Sequence, residues 1–242
     1  MKNFLILAAA LLLQPWVAHA APRINIGAFS DFLDAPSATQ VKRIYNSGTS
    51  TAFVKVSVWE LVRAADGSYQ EVPMDNQAVA QRGLIVSPAR LIVPAGGMQA
   101  VRLLYRGERE QERYYRLRFN PVMPQSGDGF AVSERDGEDY KASLSAGVQV
   151  MAGYGSLLYV RPQQPRFEVD VQEKAGQIVV RNTGNSTVQL DRFRVCEGKG
   201  TDCKAPVVHT MLPGAVRSFE KTAQRHYSFD VVGGSHSKRY EF

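Results

Sequence analysis

Along most of this chain apolar and polar residues alternate in short runs, the period of two that belongs to strands with one buried face. In the clearest run, Ala52–Val62, residues Phe53, Lys55, Ser57 and Trp59 stand against Val54, Val56, Val58 and Leu61. Ala64-Ala65-Asp66-Gly67-Ser68 then reads as a turn, its Asp-Gly pair suiting a hairpin that needs positive φ. Leu84–Val93 is interrupted by Pro88 and stopped by Pro94-Ala95-Gly96-Gly97, and Ala100–Tyr105 is the next strand. Glu108–Glu112 reads as a solvated charge run, and Arg113–Phe119 alternates basic with apolar residues before Asn120-Pro121. Gln125–Glu138 is rich in Gly, Asp and Ser and reads as a mobile loop.

The longest alternation follows. Leu144, Ala146, Val148, Val150, Ala152 and Tyr154 fall on one face, with Ser145, Gly147, Gln149, Met151 and Gly153 on the other. Pattern alone makes this a long core strand. It continues through Leu157–Val160 and stops at Arg161-Pro162-Gln163-Gln164-Pro165, so a domain boundary is predicted within Val160–Pro165. Beyond it the strand candidates are Phe167–Val171, Gln177–Asn182, Thr187–Val195, Val207–Leu212, Arg217–Glu220 and Tyr227–Val231. Turns between them, such as Asn182-Thr183-Gly184-Asn185-Ser186 and Pro213-Gly214, give the spacing of a β-sandwich. No stretch of a dozen residues carries a convincing helical period. The expectation is an all-β protein with one domain over 21–162 and a second over 163–242.

Residues 1–20 read as a cleaved signal peptide, with Lys2, the apolar stretch Phe4–Leu13 and the small residues of Ala18-His19-Ala20. The stretch is about half of the roughly 20 residues that a membrane span needs, which disfavours an uncleaved anchor. A net charge of +6 favours acidic partners only weakly, and no basic run or aromatic-basic signature points to nucleic acid. Export gives the two cysteines, Cys196 and Cys203, an oxidising compartment, and a local disulfide is favoured over half of a metal site. No metal site or cofactor is expected. His209, His226 and His236 are scattered, and no Gly-x-Ser-x-Gly, His-Glu-x-x-His or phosphate-cradling motif is present. Gly96-Gly97 and Gly233-Gly234 read as turns, and no catalytic residue is assigned.

At Tyr114-Tyr115-Arg116-Leu117-Arg118-Phe119-Asn120-Pro121-Val122-Met123-Pro124 the chain resembles the PapD-like periplasmic chaperones of the chaperone-usher pathway. Asn46, Leu84-Ile85-Val86-Ser87-Pro88, Leu91-Ile92-Val93-Pro94-Ala95-Gly96, Val101-Arg102-Leu103 and Met211-Leu212-Pro213-Gly214 agree in order. The likeness is greatest to the alternate, colonisation-factor branch, which has a short Cys loop in its second domain, and it covers essentially the whole chain after the leader.

The resemblance implies two immunoglobulin-like sandwiches set as a boomerang in the periplasm. The implied partners are pilus subunits and an outer-membrane usher, without small-molecule substrate or nucleic acid. Such a chaperone lends a strand to a subunit whose own sandwich lacks one. That role turns the 144–154 alternation from a core strand into a donor strand, with Val148 and Val150 as central plugs and Leu144, Ala146 and Ala152 beside them. It also makes Arg161 a hinge residue, with its partner near Asp230. The chain departs from the family where an Arg and a Lys usually grip the subunit's terminal carboxylate: counting back from Asn46 and from Arg161-Pro162 puts these positions near Ser30 and near Leu157, and neither is basic. Arg23, Lys42, Arg43 and Arg116 are substitutes to weigh, each read first as a surface charge. The competing readings are a secreted immunoglobulin-like pilus subunit or adhesin, and an exported hydrolase.

Overall fold

The computed structural model describes residues 21–64, 66–144, 151–198 and 202–242. The expected leader and three expected donor residues, Ala146, Val148 and Val150, lie outside these.

The first sandwich begins with β1 (Ile24–Asn25), which pairs with β3 (Thr39–Asn46), while β2 (Ser30–Leu33) belongs to the opposite sheet. The chain crosses between the sheets at Gly27, whose φ of +69° is costly for any residue with a Cβ. β4 (Ala52–Arg63) and β5 (Tyr69–Pro73) form the expected hairpin, closed by Asp66 Oδ1, which accepts from the Ser68 amide at 2.9 Å. A second crossing separates β6 (Leu84–Ser87) from β7 (Arg90–Val93) at Pro88-Ala89, a sequence interruption that the fold uses to change sheets. With β8 (Met98–Tyr105), β9 (Arg113–Pro121) and β10 (Tyr154–Val160), the sheets are complete. One runs β1-β3-β8-β6. The other runs β2-β10-β9-β4-β5, with β7 also paired to β4. Ile44, Val54, Val56, Val101, Leu103, Leu117, Phe119 and Leu158 fill the space between them.

The second sandwich sets β11 (Val169–Lys174), β12 (Gln177–Asn182) and β16 (Val216–Glu220) against a larger sheet. That sheet runs β14 (Asp202–Cys203), β13 (Val188–Glu197), β17 (Arg225–Gly233) and β18 (His236–Glu241), with β15 (Val207–Met211) also on β13. Its core is aromatic: Phe193 lies 4.5 Å from Phe219 and 5.5 Å from Phe229, ring centre to ring centre. Cys196 and Cys203 are opposite one another on β13 and β14 and are joined in a disulfide. The architecture is almost all β, two sandwiches in tandem.

One element departs from the all-strand expectation. Glu134–Leu144 is an α-helix, α1, in place of the end of a mobile loop. Its start is encoded locally: Ser133 Oγ accepts from the Asp136 amide at 3.1 Å, an N-cap, with Glu134 and Asp136 in the first turn and Lys141 in the last. Leu144, expected to open the donor strand, ends this helix. Ala152, expected to flank the plugs, lies in a stretch without regular structure, and the strand itself begins at Tyr154.

Candidate partner-binding face and interdomain hinge

β10 lies between two neighbours. β9 pairs with it over Tyr154–Val160, whereas β2, running parallel, pairs only over Leu157–Val160. Over Tyr154–Ser156 one edge of β10 is therefore not paired by β2, and an unpaired strand edge can accept another strand. The outer face of the sheet here is aromatic and cationic. Phe32 stacks on Tyr159 at 4.9 Å, and Tyr114 meets Tyr159 edge-on at 5.8 Å. The Arg118 guanidinium lies 4.0 Å from the centre of the Trp59 ring, and Glu71 bridges Arg116, at 2.9 Å, and Arg118. Burial raises the Tyr159 phenol above its ordinary pKa and does the same to Tyr114, which also faces the Glu112 carboxylate.

Ser30 and Leu157, the two uncharged residues that the resemblance singled out, are direct partners across β2 and β10. Of the substitutes weighed, Arg116 is the one opposite Leu157, on the β9 side. Lys42 is not a surface charge: it is 4% exposed, and its Nζ donates to Asp31 at 2.6 Å and to the Ala28 carbonyl at 2.7 Å. It ties β2 to β3.

Between the sandwiches, Arg161 is buried with its guanidinium 4.7 Å from both the Phe32 and Phe167 rings, one aromatic from each side of the junction. Its ion-pair partner is Asp34, at 2.7 Å, and not Asp230. The reason lies in β13, where a bulge between Leu190 and Phe193 leaves Arg192 at a φ of +49°. Arg192 reaches Asp230 at 2.6 Å, Arg239 approaches the same carboxylate at 3.3 Å from β18, and Asp230 is thereby satisfied inside its own sandwich. Gly233 and Gly234 do more than turn the chain. A Cβ at Gly233 would lie 2.6 Å from the Phe167 side chain, so glycine makes room for the ring that covers Arg161.

A second junction was hidden in the charge run. Glu112 is only 7% exposed, and its carboxylate accepts from the Thr187 amide at 2.9 Å and from the Thr187 hydroxyl at 2.5 Å. Tyr114 donates to it as well, at 3.0 Å. Burial holds the Glu112 carboxyl above the usual pKa, against the lowering effect of these donors and of Arg161. The signal available in sequence was the position of Glu112 at the end of the charge run, immediately before the strand that carries the Tyr114-Tyr115 pair. Among the described residues, no group of three or more His, Cys, Asp or Glu side chains is arranged to hold a metal ion.

No protein-family model matches the chain. The probable fimbrial chaperone EcpB of Escherichia coli O157:H7 is 29% identical over 224 residues, 91% of this chain and 90% of that protein. EcpB of Klebsiella pneumoniae strain 342 is 28% identical over 222 residues, 90% of this chain and 89% of its own length. Over nine-tenths of its length the chain is thus similar to fimbrial chaperones. Solved structures carry the same fold. The class 5 fimbriae chaperone CfaA aligns with a TM-score of 0.54 at 18% identity, covering 90% of this chain and 98% of CfaA. The Pseudomonas aeruginosa CupB2 chaperone aligns with a TM-score of 0.54 at 13% identity, covering 90% of this chain and 98% of its own. The aromatic and cationic face offers rings, guanidinium groups and a partly unpaired strand edge, groups suited to binding a partner.

Proposed function

We propose that this protein is a periplasmic chaperone that stabilises fimbrial subunits by lending them a β-strand and passes them to an outer-membrane usher. The observation that carries this reading is the one-sided pairing of β10: upstream of Leu157 it keeps β9 and loses β2. A strand from a partner added there would satisfy backbone groups, and alternate side chains would enter its apolar groove. The relatives add weight: one solved neighbour is the CsuC chaperone of Acinetobacter baumannii in a pre-assembly complex with the tip subunit CsuE. The segment supplying the side chains is Leu144–Ala152, with Val148 and Val150 as the plugs on the strength of their alternation. Replacing either with Asp puts a charge where an apolar pocket expects a methyl group, with a desolvation penalty. Each variant is expected to accumulate normally on its own yet fail to recover a co-expressed fimbrial subunit. Recovery undiminished in both variants would remove these residues from the contact, and misfolding of both would make the face ordinary core.

The division of the chain within Val160–Pro165 belongs to the same proposal. Support comes from two separate cores, one on each side, and from the gap between β10 and β11. Limited proteolysis is expected to cut here and yield two folded fragments; a single resistant body spanning these residues would count against the division.

A further inference from the structure

The outer face of the β1-β3-β8-β6 sheet carries charge of one sign. Alternation turns Lys42, Ile44 and Asn46 of β3 inward, with Val101, Leu103 and Tyr105 of β8, and all six are buried. Outside stand Val41, Arg43 and Tyr45 on β3, and Met98, Arg102 and Leu104 on β8. Register sets them side by side: Tyr45 faces Met98, Arg43 faces Ala100 and Val41 faces Arg102. The face continues past the strand ends. The Arg23 carbonyl accepts from the Ser47 amide beside β1, and the Arg106 amide donates to the Gly83 carbonyl beside β6, so pairing and alternation extend by one residue at each place. Arg23, Arg43, Arg102 and Arg106 are all exposed, and the four strands contain no Asp or Glu.

Elsewhere in this sandwich basic groups have their acids supplied. Arg113 meets Glu60 at 3.1 Å, Arg116 meets Glu71 at 2.9 Å, Arg118 also reaches Glu71, and the inward-facing Lys42 meets Asp31 at 2.6 Å. Among the described residues, the side chains of Arg23, Arg43, Arg102 and Arg106 have no ion pair or hydrogen bond. Between them stand Val41 and Tyr45, each 47% exposed, and Met98, 44% exposed. Counter-charge for this face comes from outside the chain.

We propose that the face docks on the surface of an anionic lipid bilayer. Side chains on a sheet stand roughly perpendicular to it, so the arginines and the apolar groups end near one plane, as a bilayer surface requires. There the guanidinium groups meet phosphate headgroups, while Val41, Met98 and the Tyr45 ring enter the boundary beneath, a depth that suits tyrosine. A partner protein would need carboxylates matched one by one to arginines spread from β1 to the far end of β8. A lipid surface supplies mobile charge everywhere. β10 belongs to the opposite sheet, so a docked chain keeps its candidate partner-binding face turned away from the bilayer, and the proposal stands independently of the donor-strand reading.

Flotation of the protein purified from the periplasm tests it, with vesicles of phosphatidylglycerol and phosphatidylcholine in equal parts, or of phosphatidylcholine alone. Binding is expected to the first and not to the second, and to fall as salt is raised, because salt screens exposed charges. Near an anionic surface each arginine strengthens binding about fivefold, so Arg43→Gln with Arg102→Gln is expected to weaken it about 25-fold. Arg181→Gln with Arg217→Gln removes equal charge from exposed positions on the second sandwich and is expected to weaken it no more than about twofold. The Arg43 and Arg102 pair should still recover a co-expressed fimbrial subunit as the wild type does. Absence of binding to the phosphatidylglycerol vesicles would overturn the proposal. Equal losses from the two pairs would also overturn it, by making net charge and not this face responsible. A variant of Arg43 and Arg102 that keeps its vesicle binding but loses the subunit would overturn it in favour of a protein contact.

Discussion

The two sandwiches solve the same problem with the same side chain. In the first, Asn46 ends β3, and its Nδ2 donates to the Ser50 carbonyl at 2.8 Å and the Val93 carbonyl at 3.0 Å, while Oδ1 accepts from Arg23 and Gly48 amides. In the second, Asn182 ends β12, donates to the Ser186 and Met211 carbonyls at 2.9 Å, and accepts from the Gly184 amide. Both sit in an Asn-x-Gly sequence and both are almost wholly buried, at 1% and 0% exposure. An amide that satisfies backbone groups on two connections at once locks a strand end that no ladder can reach. The sandwiches differ in what surrounds this hook. The second is smaller and adds a disulfide and a concentrated aromatic core, as a small domain needs. The first has the larger core and leaves part of β10 one-sided, with α1 docked nearby.

The strongest way to break this comparison is to remove the hooks. Asn46→Ala and Asn182→Ala each orphan buried carbonyls and are expected to cost about 3 kcal/mol, with the loss confined to the sandwich that carries the change. Asn46 engages more groups, so its loss should be at least as large. Trp59 is the single tryptophan after residue 20, so its fluorescence follows the first sandwich in denaturant while far-UV signal follows both. A cost well below 1 kcal/mol for either would deny the shared role. A smaller effect should separate the domains. Replacing both Cys196 and Cys203 with Ser is expected to destabilise the second sandwich by about 2.5 kcal/mol on the loop-entropy account, leaving the Trp59 transition in place. A matching shift of both transitions would mean that the domains unfold as one unit.

The subtlest effect belongs to the contact between them. Because burial raises the Glu112 pKa, the folded protein binds this proton more tightly than the unfolded chain does. The stabilisation from that excess is full below the ordinary carboxyl range and is lost as pH rises through the raised value. Unfolding of the wild type compared with Glu112→Gln, from pH 4 to 7, should show the wild type losing stability relative to the variant as pH rises. The opposite slope would show that the Thr187 and Tyr114 donors outweigh burial.

Much of this architecture was legible as period and punctuation. Alternation located β4, β8, β9 and most strands of the second sandwich, and Pro88 marked where the chain changes sheets. The charged edge strand β18 escaped because an exposed strand has little apolar face to alternate. α1 escaped because its helix-forming signal is a capping serine and three well-placed charges, with only Tyr140 and Leu144 to carry an apolar side. The chemistry of the hinge was half legible. Arg161 was singled out, but its partner depended on a bulge in β13 that turned Arg192 onto Asp230.

What the sequence determined by itself is which face of each strand is buried, where the chain turns, and that Cys196 and Cys203 are near enough to join; these follow from side-chain periodicity and short-range geometry. Only the tertiary structure decided that Glu112 and Lys42 are buried, that Arg161 pairs with Asp34, and that Leu144 ends a helix. Each of those depends on groups distant in the chain or on another strand, such as Thr187, Asp31, Phe32 and Thr51, whose approach is fixed by how the sheets pack and not by any local pattern.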